Sequence, residues 1–270
     1  MVDQGKMVQS SGFIRTHQNG GVFEVVLCRP EKLNAINSQM LGELGELVKK
    51  FDVDDSLRVM PLRAEGRYFC AGADISEPGL MEFQGKTRNV RKHFRRRFHP
   101  LEILFETVEK PVVVAHQGPA LGGGLEMSLS CDFRLAAASA HYALPESSLG
   151  VMPSSGGDGR LTRLIGPHWA RLLVMTQRGS NAEKALNVGH VHVVWPDDEE
   201  RVKEFCKEVV DQPPEMMAIT KVAIELAADL GSDSARKVEQ LAGGITQVGD
   251  ERHRFFDRHR EMQAAKKKQD

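Results

Sequence analysis

The sequence predicts an α/β fold that ends in a helical layer, and two observations carry that prediction. From Phe13 to about Trp195, short β-rich runs alternate with segments of helical spacing. After Trp195 the strand signal stops and the rest reads as helix. With 270 residues, 41% hydrophobic and 27% charged, the chain can bury the core of one large domain, or of one domain plus an appendage.

Taken in order, residues 1–11 read as a flexible N-terminus. Residues 13–17 and 22–29 are β-rich and flank Asn19-Gly20-Gly21, a hairpin turn. Residues 30–34 form a polar loop. In residues 38–51, Met40, Leu41, Leu44, Leu47, Val48 and Phe51 recur at helical spacing, with Ser38 placed as N-cap. Residues 57–63 and 111–116 read as strands, each followed by a Gly-containing turn. The charged segment between them, 81–109, is predicted helical. Residues 197–210, 214–230 and 234–262 read as helices, and 263–270 as a frayed tail. The domain division is therefore a core over 12–200 and a helical region over 201–262.

Charge and composition exclude several classes. A net charge of −1 gives no global field toward nucleic acid or an acidic membrane. The four cysteines, at 28, 70, 131 and 206, show neither a CxxC pair nor zinc spacing, so they read as reduced thiols and no metal is expected. The N-terminus lacks an apolar h-region, the C-terminal AAKKKQD is not an SKL signal, and no apolar run reaches the ~18 residues of a membrane span. The expected location is the cytoplasm.

Two glycine-containing turns follow strands, one at residues 68–75 and one at 118–126. Gly122-Gly123-Gly124 precedes an apolar stretch, the mark of a helix start with free backbone N–H groups that can hold an anion or a developing oxyanion. No Gly-Lys-Ser/Thr follows, so it is not a P-loop, and the spacing is not GxGxxG. Such turns also serve tight packing. Glu126 falls in the first helical turn, where a carboxylate is favoured electrostatically with or without a function. Glu146 follows Leu144-Pro145, and Pro145 helps to fix its direction. Two carboxylates beside an oxyanion hole suit water activation and proton transfer, although spacing alone does not bring them together.

These residues resemble the crotonase superfamily, the enoyl-CoA hydratase/isomerase family. The resemblance rests on Arg29-Pro30-Glu31-Lys32-Leu33-Asn34-Ala35-Ile36, Phe69-Cys70-Ala71-Gly72-Ala73-Asp74-Ile75 and Lys110-Pro111-Val112-Val113-Val114-Ala115. It continues through Ala120-Leu121-Gly122-Gly123-Gly124-Leu125-Glu126, Cys131-Asp132, Pro145-Glu146, Leu149-Gly150-Val151-Met152-Pro153 and Arg160-Leu161-Thr162-Arg163. It covers residues 12–200. It implies a spiral of ββα units with a C-terminal helical trimerisation region, often assembled as a hexamer. It also implies an acyl-CoA substrate, as in fatty acid metabolism, with coenzyme A part of the substrate and no separate cofactor. The implied oxyanion hole falls on the N–H groups of Ala73 and Gly123. The implied hydratase pair is Glu126, the base, and Glu146, the proton donor to the α-carbon. The backbone around Lys32, Leu33, Ala71, Ala73, Asp74, Ile75 and Gly123 resembles the part that holds CoA, and Lys32 could meet a phosphate.

The chain departs from the family in places. Ser154-Ser155-Gly156-Gly157-Asp158-Gly159-Arg160 stands where many hydratases have Gly-Ala-Gly-Gly-Thr-Gln-Arg. Ser154 adds polarity near the acyl group, and Asp158 reads as structural. Residues 81–100 look longer than in short-chain hydratases and carry the basic run from Arg91 to Arg97, which reads as a solvated face or a phosphate clamp. Phe255 and Phe256 read as core or as closing the acyl pocket of a neighbouring subunit, with core preferred, and His116 and His141 read as structural. The expected reaction is hydration of a 2-enoyl-CoA. Alternatives are a double-bond isomerase, a specialised dehydratase, and a non-catalytic RNA-binding relative, the last disfavoured by the near-neutral charge.

Overall fold

The computed structural model describes residues 6–10, 12–77, 98–195 and 199–266. Its strands are β1 (Lys6–Ser10), β2 (Ile14–Asn19), β3 (Val22–Leu27), β4 (Met60–Ala64), β5 (Val112–His116), β6 (Ala120–Leu121), β7 (Phe133–Ala137), β8 (His141–Ala143), β9 (Ser180–Asn181) and β10 (Val193–Trp195). Its helices are α1 (Ser38–Val53), α2 (Phe98–Thr107), α3 (Gly123–Leu129), α4 (Gly157–Thr176), α5 (Ala182–Asn187), α6 (Glu199–Val210), α7 (Pro214–Asp229), α8 (Ser232–Val248) and α9 (Asp250–Lys266).

Seven strands form one sheet in the order β1-β2-β3-β4-β5-β7-β10, and three form a second in the order β6-β8-β9. In the large sheet β1, β2 and β3 are antiparallel, and β4, β5, β7 and β10 join in parallel. Asn19 pairs with Val22, so Gly20-Gly21 makes the two-residue turn the sequence predicts. Residues 6–10, read from sequence as flexible, instead pair with β2. Pairing there satisfies backbone groups that the edge of β2 would otherwise leave open.

The central strands are buried on both faces, as parallel strands usually are. Val112 and Val114 of β5 face the main core, with Phe23, Phe51, Phe69 and Phe105. Val113 and Ala115 face the other side, under Val202, Cys206 and Val209 of α6. The predicted apolar face of α1 is buried in full. Its N-cap is Asn37, not Ser38: Asn37 Oδ1 accepts from the Met40 N–H at 2.9 Å. Both residue types cap well, and the extended backbone of Asn37 puts its side chain over the first turn. The four cysteines are free and buried.

The segment read as one helix over 234–262 is two, parted at Gly249, whose backbone is extended at φ −81° and ψ 150°. Helix α9 runs on to Lys266, into the stretch read as a tail. Phe256 is 57% exposed, so the core reading of that residue does not hold for the single chain. The predicted helix over 81–109 is observed from Phe98, and its earlier part, with the basic run Arg91 to Arg97, lies outside the described residues. Among the described residues no helix is long and apolar enough to cross a membrane.

Candidate active site

The site begins with a strand-like segment, residues 70–74, held between two others. On one side the Ile36 N–H donates to the Gly72 carbonyl at 2.8 Å, and the Asp74 N–H donates to the Ile36 carbonyl at 2.9 Å. On the other, the Cys70 N–H donates to Pro119 at 3.2 Å and the Leu121 N–H to Cys70 at 2.9 Å. The Gly72 carbonyl faces Ile36, so the trans peptide that follows it turns the Ala73 N–H away from Ile36. Gly123 opens α3, where an N–H has no intrahelical acceptor. The two approach closely: a Cβ on Gly72 would stand 3.3 Å from the Gly123 nitrogen. The segment before Ala73 and the start of α3 thus lie close together, with the Phe98 ring packed against Gly123.

Glu126 lies in the first turn of α3 and is only 4% exposed. Its Oε1 accepts from the Ser155 N–H at 2.8 Å and the Gly157 N–H at 3.0 Å. Both amides bind Oε1, and among the described residues no hydrogen bond to Oε2 accompanies them. Burial pushes the Glu126 carboxyl above its ordinary range, the two amides pull it back, and Asp158 pushes it up again.

Glu146 starts a short 3-10 turn, Glu146–Leu149, and is half-buried. Its Oε1 lies against Gly122, where a Cβ would come within 2.9 Å. Only glycine fits there, for space and for the backbone φ of 51°. Likewise Gly157 leaves room for Glu126, since a Cβ would stand 2.8 Å from Oε1. Each carboxylate therefore rests on a glycine of another segment, and the three segments meet. Burial pushes the Glu146 carboxyl up to about 7, against its own backbone N–H and with help from Glu126 and Asp158. Glu146 Oε2 is buried with no hydrogen-bond partner among the described residues.

Asp158 is a third acid at this place. Its carboxyl is raised by burial, it acts on both glutamates, and its buried Oδ1 likewise lacks a partner among the described residues. Behind Glu126 lies a group that sequence reasoning missed. Arg160 pairs with Glu106 through Nε at 2.5 Å and with Glu102 at 3.1 Å. Glu102 is 0% exposed, and burial raises its carboxyl to about 8 against the pull of Arg160. The three residues lie 54 and 58 positions apart, so no local pattern reveals them.

The residues assigned from resemblance to CoA binding form one edge. Lys32 is exposed, and Leu33 follows it in the left-handed conformation at φ 53°. The Leu33 carbonyl accepts from the Ala71 N–H at 3.0 Å. Asn34, fully buried, ties the edge down: its Nδ2 donates to the Glu65 and Tyr68 carbonyls, both at 2.8 Å. Ile75 is 62% exposed. The Asp74 side chain does not face outward. It bonds Ser76 and pairs with Arg29 at 2.7 Å, and with Ser76 the larger influence its carboxyl is held down at about 2. His116 is buried and meets the Tyr142 hydroxyl at 3.1 Å, while His141 is exposed. Among the described residues no cluster of His, Cys, Asp or Glu could hold a metal ion.

The comparison with known proteins decides the family. The enoyl-CoA hydratase/isomerase family matches this chain over residues 17–265. The chain belongs to that family. It is 36% identical over 233 residues to the short-chain-enoyl-CoA hydratase of Clostridium acetobutylicum, covering 84% of this chain and 86% of that one. It is 33% identical over 223 residues to the crotonyl-CoA hydratase of Syntrophomonas wolfei, covering 80% and 83%. The crystal structure of an enoyl-CoA hydratase from Bacillus anthracis superposes with a TM-score of 0.84 at 31% identity, over 94% of this chain and 96% of that one. The α/β fold of this family member is thus the crotonase fold, with its helical C-terminal region.

Proposed function

We propose that this enzyme adds water reversibly to the double bond of a 2-enoyl-CoA, giving a 3-hydroxyacyl-CoA. The observation that carries the reading is the meeting of Glu126 and Glu146, each carboxylate seated against a glycine of another segment and Glu146 Oε2 left without a partner among the described residues, next to the start of α3 at Gly123. The N–H groups of Ala73 and Gly123 would donate to the thioester oxygen, which turns enolate-like as water attacks the β-carbon. One such donor is worth about 3–4 kcal/mol of barrier. Glu126 takes the proton of the attacking water. Glu146, raised to about 7, supplies a proton to the α-carbon. The proton on Glu126 then passes to Glu146 through solvent and restores the starting state.

Lys32, Leu33, Ala71 and Ile75 supply the edge on which CoA would lie. Leu149, Val151 and Met152, exposed just beyond Glu146, give an apolar lip for the acyl chain. On this reading CoA enters as part of the substrate and no other cofactor takes part. Self-association as a trimer or hexamer belongs to the same proposal. It is supported by the exposed Leu226, Leu241, Ile245 and Phe256 of the C-terminal helices. Residence in the cytoplasm is supported by four free cysteines.

The test is a panel of crotonyl-CoA with longer, branched and aromatic 2-enoyl-CoAs, followed by loss of conjugated absorbance. The expected result is hydration of at least one member. Isomerisation without hydration, or no turnover with any member, removes the reading.

A further inference from the structure

We propose that Arg160, aimed by Glu102 and Glu106, is the positioning residue for Glu126; the proposal rests on the reading of Glu126 as the base. The contacts run without a gap. Glu106 takes the guanidinium on two nitrogens, Nε to Oε1 at 2.5 Å and Nη2 to Oε2 at 2.8 Å. Glu102 Oε2 accepts from Nη1 at 3.1 Å. That same Nη1 donates to the Ser155 carbonyl at 3.0 Å. Ser155 in turn holds Glu126 Oε1 through its N–H at 2.8 Å, and Gly157 adds the second N–H at 3.0 Å. The guanidinium lies so close over Gly156 that a Cβ there would overlap it. A turn of residues 155–157 that released Glu126 would therefore also have to break away from Arg160.

Stability alone gives no reason for this cluster. Glu102 is fully buried, with Oε1 unpartnered among the described residues. A buried ion pair usually adds less to stability than apolar side chains of similar volume. Glu102 faces Arg160, Glu106, Glu126 and His99, a surplus of acid around one guanidinium. Phe98 and Glu102 lie one turn apart on α2. Phe98 packs on Gly123, and Glu102 lies near enough to Glu126 to raise its own carboxyl. Helix α2 thus follows α3 along the catalytic segment, and Arg160 links α2 to the turn that grips the base. A proton acceptor needs fixed geometry, and a small misplacement costs rate without changing any reacting group.

The experiment compares wild type with Arg160→Met, Arg160→Lys and Glu106→Gln as the intact chain. In Arg160→Met, kcat for enoyl-CoA hydration falls about 10–100-fold while KM stays within about threefold. Lys, which keeps the charge but not the fork, restores part of the loss. The Glu106 side chain is 35% exposed, so Glu106→Gln keeps the fold and gives a smaller fall in the same direction. The second readout is the titration of Glu126, followed by its infrared carboxylate band and identified by the loss of that band in Glu126→Gln. It moves to higher pH in Arg160→Met, because the amides of the turn no longer hold the charged form. Variants that lower only Tm, with kcat and the Glu126 titration unmoved, overturn the proposal. If wild type hydrates no enoyl-CoA, the functional reading has failed and the titration alone decides: a shift supports the positioning role, and its absence ends it.

Discussion

In the α/β core, Leu44, Phe51, Leu62 and Phe105 are buried within the chain, whereas Leu241, Ile245 and Val248 of α8 stay 59–83% exposed. Helices α7 and α8 contain no buried residue at all. Polar groups divide the other way. Around the site, Glu102 Oε1, Glu146 Oε2 and Asp158 Oδ1 are buried without partners among the described residues. An apolar surface left open calls for another apolar surface. Buried carboxylate oxygens left open call for water or a small polar ligand. The core is thus complete in packing but unfinished in hydrogen bonding where chemistry is proposed, and the C-terminal helices are unfinished in packing until something covers them.

The contrast breaks first at the two acids. Glu126→Gln and Glu146→Gln should each lower kcat about 10²–10⁴-fold on the best enoyl-CoA, the usual worth of acid–base catalysis. Stopped-flow absorbance at saturating substrate checks this, and normal turnover in either variant removes that residue from the mechanism. Packing gives the next effect. Leu44→Ala should cost about 2–5 kcal/mol in urea unfolding, as large-to-small changes in a filled core do. Leu241→Asp, on the open helix face, should leave the fold intact. It should also reduce the mass seen by light scattering from that of an assembly to the 30.0 kDa of one chain.

The pH dependence sharpens the same contrast. The Glu146 carboxyl is raised to about 7, so its proton is available below that pH and lost above it. The rate should therefore fall by up to about tenfold per pH unit above 7, a limb absent from Glu146→Gln. A raised carboxyl also favours the folded state at low pH and loses that contribution as pH rises through 7. Glu146→Gln should accordingly gain in Tm over wild type at pH 8 while losing turnover. The smallest effect falls on Asp74, held down at about 2 by Ser76 and then by Arg29. Its contribution to stability is present above the ordinary carboxylate range and disappears as pH falls through about 2. Asp74→Asn should lower Tm at neutral pH, with the gap closing toward pH 2 in a calorimetric series.

Local patterns were legible in the sequence, and long-range partnerships were not. The spacing of Met40, Leu44, Leu47 and Phe51 gave α1 because helical periodicity is written in the next few residues. Asn37 and Ser38 both cap well, and choosing between them required the backbone angles. The break at Gly249 was hidden because helical residues flank it on both sides. Glu126 and Glu146 stood out through their motifs, but their meeting depends on Gly122 and Gly157, which leave space for side chains from other segments. Nothing local marks Glu102 and Glu106 as partners of Arg160 across more than 50 residues of chain.

The most direct test is a crystal structure with an unreactive enoyl-CoA thioester bound. The account predicts the thioester oxygen within about 2.7–3.1 Å of both the Ala73 and Gly123 nitrogens. It also predicts one water shared by Glu126 and Glu146 at the β-carbon. A thioester bound elsewhere, or an acyl chain whose β-carbon both acids fail to reach, contradicts it.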